Sequence, residues 1–314
     1  MEALKSEVAS GLPKLVYIAG YGRSGSTVLS IALGQHKEIF GCGEIITLGH
    51  HVWENNEYCS CGSPIHDCEF WRETVALWGK EESPSLVSDY GKLQDQFESL
   101  ISISRMLRKT LRRESFNTYS RHTLRLLEVV SKRSSRGLVV DSSKHPGRAA
   151  ALALIPGLDL YVIHLVRDGR GVAWSLLKAY QRDKRIGLQK DIEAKPVMRT
   201  AFRWATVNLA TESLARRLGP RRFVRIRYED FTRDPKECLK KIGDLIGADF
   251  GDLGDQINAG MPLEPGHQMA GNRLRMNATI ELSPDVKWKS QMPGRKQALF
   301  TWLCAWLLRR YGYL

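Results

Sequence analysis

No stretch of this chain reaches the ~18 consecutive apolar residues that a membrane-spanning helix needs. The segment from Met1 to Leu12 carries Glu2, Lys5 and Glu7 where a signal peptide or anchor would be uninterruptedly hydrophobic. A cytoplasmic protein without a membrane span is therefore expected. Cysteine is scarce: six residues at uneven spacings in 314, with no export signal, read as reduced thiols and not as a disulfide framework. Neither an internal repeat nor a low-complexity linker divides the sequence, and 43% hydrophobic content is enough for a full core, so a single domain over residues 1–314 is expected. The formal charge of +13 raises the question of nucleic acid. No zinc-finger, helix-turn-helix or RNA-binding aromatic motif accompanies it. The densest basic run, Arg105–Arg113, spaces Met106, Leu107 and Leu111 at helical intervals, as an amphipathic helix with a solvated basic face does. The excess charge then favours small anionic ligands.

Lysine is missing from one telling place. The run Gly20-Tyr-Gly-Arg-Ser-Gly-Ser-Thr27 follows the apolar Leu15–Ala19 and opens the helix-like Val28–Leu33. Its glycines let backbone N–H groups converge on an anion, the helix N-terminus adds partial positive charge, and the hydroxyls add donors. A nucleoside-triphosphatase loop would read G-x-x-x-x-G-K-[ST]. Here Ser26 stands in the lysine position, and the nearest cation is Arg23. That displacement points away from ATP and GTP.

Short apolar runs alternate with helical patterns. Leu15–Ala19, Leu138–Asp141, Leu160–Val166 and Phe223–Arg227 read as strands, each followed by a loop and a helix. The expected fold is α/β, a three-layer parallel sheet with helices on both faces and ligands at its carboxyl edge. Residues of about 71–136 show only helical periodicity, over Phe97–Leu111 and Tyr119–Val130, and read as a helical insertion between core strands.

The second informative segment is His164-Leu-Val-Arg-Asp-Gly-Arg-Gly-Val-Ala-Trp-Ser175, where a strand ends at Arg167 and a helix runs through Ser175. An arginine at a strand end and a serine two turns into the next helix can meet over one tetrahedral anion. Set beside an anion loop about 140 residues earlier, the segment makes a second phosphate site. Two sites imply a ligand phosphorylated at two distant positions.

This pair, Gly-x-x-Arg-Ser-Gly-Ser-Thr and Val-Arg-Asp-x-Arg-x-x-x-x-Ser, resembles the 5′-phosphosulfate loop and 3′-phosphate motif of sulfotransferases that use 3′-phosphoadenosine 5′-phosphosulfate (PAPS). Arg227-Tyr-Glu-Asp-Phe231 with Asp234-Pro235, His267-Gln-Met-Ala-Gly-Asn-Arg-Leu-Arg275 and Trp288 are similar to further elements of that family. The resemblance implies that Arg23, Ser24, Gly25, Ser26 and Thr27 hold the 5′-phosphosulfate, and that Arg167 and Ser175 hold the 3′-phosphate. It also implies that Arg275, with the backbone around Gly271 and Asn272, closes over the nucleotide. Trp174 reads equally as a core residue, and Tyr228-Glu-Asp230 as a structural tie between a strand end and loops.

Sulfuryl transfer places charge on the bridging oxygen of the departing nucleotide, and cationic side chains can substitute there for a metal. Arg23 is one such cation. Lys144, in Val140-Asp-Ser-Ser-Lys-His145, resembles a catalytic lysine position of the tyrosylprotein and related branches; a surface lysine on a capping loop is its other reading. Glu44 resembles the catalytic glutamate of branches with Arg in the anion loop, and a carboxylate among cations stays ionised to accept a hydroxyl proton. His50 and His51 are its rivals.

The expected activity is PAPS-dependent sulfuryl transfer to a hydroxyl, or secondarily an amine, of a small-molecule or carbohydrate acceptor. Two alternatives stand beside it: a P-loop kinase with Leu138–Asp141 as a magnesium-binding strand, and a non-catalytic nucleotide- or polyanion-binding protein. Cys59-Ser-Cys-Gly-Ser-Pro-Ile-His-Asp-Cys68 could hold zinc with Cys42 or His66, but its spacing is atypical, so a reduced lid loop packed by Phe70 and Trp71 and no metal are expected. Some bacterial members of the resembled family carry similar loops. The apolar Ala298–Leu308 reads as a buried terminal helix.

Overall fold

The computed structural model describes residues 12–80, 85–99, 113–183 and 191–314. Among these, five parallel strands form one sheet in the order β2-β3-β1-β4-β5: β1 Lys14–Ala19, β2 Ile39–Gly43, β3 Leu138–Lys144, β4 Leu160–Val166 and β5 Phe223–Arg227. Side chains alternate across the sheet. Leu15, Tyr17, Val139 and Val162 face one core, and Val16, Ile18, Val140 and Ile163 face the other. Because helices cover both faces, β1 and the first halves of β3 and β4 are continuous apolar runs, while the edge strand β5 is partly exposed and carries Arg225 and Arg227.

The first face is covered by α2 (Glu69–Trp78), α3 (Leu86–Phe97), α4 (Arg113–Ser134) and α5 (Pro146–Leu152); α2 to α4 are the expected insertion. Of the expected helix over Phe97–Leu111, Phe97 ends α3, while residues 100–112, with most of the basic run, lie outside the described residues. The second face carries α1 (Ser26–Gly34), α8 (Tyr228–Arg233), α9 (Pro235–Ile246) and α10 (Gly251–Asn258). A third cluster packs α6 (Gly169–Leu176) and α7 (Val197–Leu218) against α11 (Trp288–Gln291) and α12 (Gly294–Arg310).

Two expectations need correction. The strand β2 was not among the expected strands, because two of its five residues are glycine and mask its apolar character. Gly43 is required by a distant neighbour: its φ is +81°, and a Cβ there would lie 2.1 Å from the Met269 carbonyl oxygen. The helix α12 is also buried on only one side: Phe300, Cys304, Leu307 and Leu308 face the core, but Trp302 is 78% and Trp306 52% exposed.

Strand order reverses around β1, with β3 on one side and β4 on the other. At such a switch point the following loops diverge and leave a crevice at the carboxyl edge. The loops after β1, β2, β3 and β4 all reach it.

Candidate active site

A cleft of about 570 Å³ opens at this edge, lined by residues that include Gly22, Arg23, Ser26, Thr27, Glu44, Lys144, Arg167 and Ser175. The Gly20–Thr27 loop forms part of its lining. Gly25 adopts φ +94°, and a Cβ there would fall 2.4 Å from the Tyr228 ring, so only glycine lets the loop settle on that ring. No side chain caps the N-terminus of α1, which leaves its first-turn N–H groups aimed at the cleft edge. Among the described residues the buried Ser24 Oγ has no partner.

The second motif meets the first across the cleft. Arg23 Nε donates to Ser175 Oγ at 2.9 Å, and Arg167 Nη1 donates to the Arg23 carbonyl at 3.0 Å. Asp168 caps α6 by accepting from Arg170 N at 2.9 Å, which fixes where the helix starts and hence where Ser175 falls. The Arg167 guanidinium lies 4.7 Å from the centre of the Tyr228 ring and pairs with Asp285 at 2.9 Å, while its buried Nε has no partner among the described residues. Burial lowers the pKa of Arg23; the nearby charges of Arg167 and Arg273 act in the same direction, while Tyr180 and Asp285 oppose them.

At the other end of the cleft Lys144 Nζ forms a hydrogen-bonded ion pair with Glu44 Oε1, each side chain only 17% exposed. Lys144 sits at φ +69°, unusual for a side chain of this kind, where the β1–β3 register shifts. Glu44 is held by its neighbours: its N–H donates to the Met269 carbonyl at 2.9 Å, and Met269 N donates to the Cys42 carbonyl at 2.9 Å. Three residues on, Asn272 N donates to Thr27 Oγ1 at 3.0 Å.

The model of the sulfotransferase family matches residues 13–252. The chain belongs to the sulfotransferase family. Its fold is similar to that of the sulfotransferase domain from the curacin biosynthetic pathway, with 20% identity, a TM-score of 0.52, and 95% of this chain and 98% of that one covered. The sulfotransferase domain of the Synechococcus olefin synthase aligns at 19% identity and TM-score 0.48, over 94% of this chain and 95% of that one. A sulfotransferase of Mycobacterium avium aligns at 13% and 0.48, over 100% and 79%. No curated protein matches.

Most residues singled out in this sulfotransferase-family sequence come together, but several do not. Arg23, Gly25, Ser26, Thr27, Glu44, Lys144, Arg167, Ser175, Gly271 and Asn272 all line the cleft. Arg275 does not: it is 1% exposed, and its Nη1 donates to the Tyr58 carbonyl at 2.9 Å, behind the cleft wall. His51 Nδ1 lies 2.7 Å from Glu57 Oε1, His50 faces Asp95 at 3.8 Å, and neither lines the cleft. Asp141 is fully buried, accepts from Ser143 N at 2.9 Å and binds Arg148 at 2.7 Å, which is not the open carboxylate that a magnesium-binding strand requires.

Tyr228 lines the cleft as the platform beneath Gly25 and Arg167, whereas Glu229 and Asp230 are structural: Glu229 accepts from Asp168 N at 3.0 Å and Asp230 pairs with Arg233 at 2.6 Å. Trp174 lies at the margin of the third core cluster, and Trp288 is buried in it.

Sequence reasoning missed His145. Its Nδ1 donates to the Glu98 carbonyl at 2.9 Å, and burial lowers its pKa, so near neutral pH its Nε2 carries a lone pair. It lines a depression of about 340 Å³, with Tyr21, Pro146, Phe202 and Val207, that shares Gly22 and Lys144 with the main cleft. Nothing local marked this histidine beyond its place next to Lys144.

Proposed function

We propose that the chain transfers the sulfuryl group of PAPS to a hydroxyl, or secondarily an amine, of a small-molecule or carbohydrate acceptor. One observation carries this reading: two anion cradles 144 residues apart in sequence meet over a single cleft, joined by the bonds from Arg167 to the Arg23 carbonyl and from Arg23 to Ser175. A donor with anions at both ends of a nucleoside suits two cradles. The residues present fit it: the unpartnered Ser24 Oγ and Arg167 Nε await acceptors, and the uncapped start of α1 supplies N–H donors.

In this reading Ser24 to Thr27 bind the 5′-phosphosulfate, Arg167 and Ser175 the 3′-phosphate, and Arg23 spans the two. Gly271 and Asn272 border the nucleotide, and Arg275 acts only by supporting them. The acceptor oxygen attacks sulfur in line as the bond from sulfur to the bridging oxygen breaks. Lys144 leaves Glu44 to neutralise the charge that grows on that bridging oxygen, and Glu44, freed of its partner, takes the acceptor proton. An acceptor with an apolar body suits the depression walled by Tyr21, Phe202 and Val207, from which its hydroxyl would meet Lys144. His145, on that wall, is the second candidate base.

Adenosine 3′,5′-bisphosphate, the product nucleotide, should raise the melting temperature without any divalent cation. A preference for ATP with magnesium, or a strict magnesium requirement for the bisphosphate, overturns the assignment.

A further inference from the structure

The cysteine loop gains a partner from the far end of the chain. Cys59, Cys61 and Cys68 converge with His267, and their three sulfur atoms and one ring nitrogen all lie within 4.8 Å of one another. His267 Nδ1 stands 3.4 Å from Cys68 Sγ and 3.9 Å from Cys59 Sγ. Around a tetrahedral zinc with Zn–S of about 2.3 Å and Zn–N of about 2.0–2.1 Å, sulfur and nitrogen ligands stand roughly 3.5–3.6 Å apart and sulfurs roughly 3.8 Å apart. The two observed sulfur–nitrogen separations bracket the first value, and every pair lies within 4.8 Å, before any ion draws the ligands in.

The geometry points to a structural zinc site made of Cys59, Cys61, Cys68 and His267. Three thiolates and an imidazole form a closed, charge-rich set that selects zinc over hard cations and leaves no position for substrate. The expectation of a metal-free loop, drawn from spacing alone, lacked the fourth ligand. Cys42 and His66, the completions considered from sequence, stay outside the cluster.

The surroundings are those of a built site. Phe70 stacks on the His267 ring at 5.5 Å between centroids, and Trp71 Nε1 donates to the His267 carbonyl at 2.6 Å, so the imidazole is oriented from its own backbone. Ser60 Oγ donates to the Gly266 carbonyl at 2.9 Å and accepts from Gln268 N at 2.7 Å, which holds the two segments side by side. Cys59 and Cys68 are buried, while Cys61 is exposed.

The consequence reaches the active site. Two residues beyond His267, Met269 holds the backbone of Cys42 and Glu44, and three further on Asn272 holds Thr27. A metal that clamps His267 to the cysteine loop therefore positions the segment bearing the proposed base and one wall of the donor cleft. This effect on the cleft rests on the proposed function; metal binding itself does not.

The test is metal analysis of the intact protein after exchange against a mild chelator, with no substrate present. About one zinc per chain is expected, and cobalt should replace it with the visible bands of a tetrahedral ion and the ultraviolet band of thiolate ligation. The exposed Cys61→Ser and the half-buried His267→Gln, each checked for native circular dichroism, should retain metal more weakly. Removal with a strong chelator should lower the melting temperature of the parent. Parent protein that retains no zinc and gives no thiolate–cobalt band overturns the inference, as do both variants holding metal as tightly as the parent. Should either variant fail to fold, the parent's cobalt spectrum still decides.

Discussion

Arg167 carries the sharpest test of the donor site, because the structure shows what the ligand must displace. Its guanidinium is already paired with Asp285, whose side chain is 45% exposed. An incoming phosphate replaces a half-solvated carboxylate, so the gain is the difference between two charge-assisted contacts. A hydrogen bond to a charged group contributes about 1.5–3 kcal/mol, whereas an exposed ion pair is worth about 0–1 kcal/mol. Arg167→Ala should therefore weaken adenosine 3′,5′-bisphosphate by about 2 kcal/mol, roughly 30-fold, in metal-free calorimetry. Asp285→Asn should tighten it by up to about fivefold, since the competing carboxylate is gone. In the double variant the benefit of Asp285→Asn should vanish, because it acts through Arg167. Arg167→Ala also removes the bond to the Arg23 carbonyl and the stacking on Tyr228, so affinities must be compared well below each melting temperature. Unchanged affinity in Arg167→Ala, or weaker binding in Asp285→Asn, would refute the placement of the 3′-phosphate.

Three other outcomes follow from the geometry. Gly25→Ala forces a side chain at φ +94° into the Tyr228 ring and should abolish bisphosphate binding, with a stability loss of about 1–3 kcal/mol in denaturant titration; normal binding would show that the loop does not hold the anion. Glu44→Gln should cut turnover ~10²-fold or more while leaving nucleotide affinity nearly unchanged, whereas Lys144→Ala should cut turnover and also loosen the nucleotide; near-normal turnover in Glu44→Gln moves the base to His145. His164 is fully buried, and burial lowers its pKa to about 4 against the ordinary 6.5, so between those values the unfolded chain binds a proton that the folded one refuses. Stability should then fall with pH, by about 2 kcal/mol from pH 7 to pH 5, and His164→Asn should flatten that slope; an unchanged slope in the variant assigns the loss elsewhere.

What could be read from the sequence follows the range of the forces involved. The strands β1, β3, β4 and β5 were legible because each carries a short apolar run, continuous in β1, β3 and β4 where both faces are covered and alternating with arginine in the edge strand β5. That the Gly20–Thr27 loop and the Arg167–Ser175 segment would meet at one edge was legible because each is built within a dozen residues, from a strand end, a turn and a helix start. The strand β2 was not, since Gly43 answers to the Met269 carbonyl 226 residues later, and no local pattern encodes that contact. Distance along the chain also hid the metal cluster: His267 follows Cys68 by 199 residues, beyond any spacing rule for zinc ligands. Arg275 failed in the opposite direction. Its motif suggested a nucleotide contact, but the Tyr58 carbonyl claims the side chain.

The same contrast governs the helical insertion, which carries none of the motifs read from the sequence. Its connection to the chemistry is a buried charge network and not a motif. Glu98, just past the end of α3, pairs with Arg148 of α5, which donates to Asp141 of β3 at 2.7 Å, and Tyr119 of α4 donates to Glu98 at 2.8 Å. Burial alone would lower the pKa of Arg148, but Glu98 and Asp141 outweigh it and hold the guanidinium charged well above its ordinary range. Removing one member of such a network strands an uncompensated charge, at a cost of about 3–5 kcal/mol. The insertion is therefore locked to the strand that ends in Lys144 and to His145, whose imidazole also donates to the Glu98 carbonyl. This one carboxylate thus sets the register between the helical insertion and the edge of the sheet that carries Lys144 and His145.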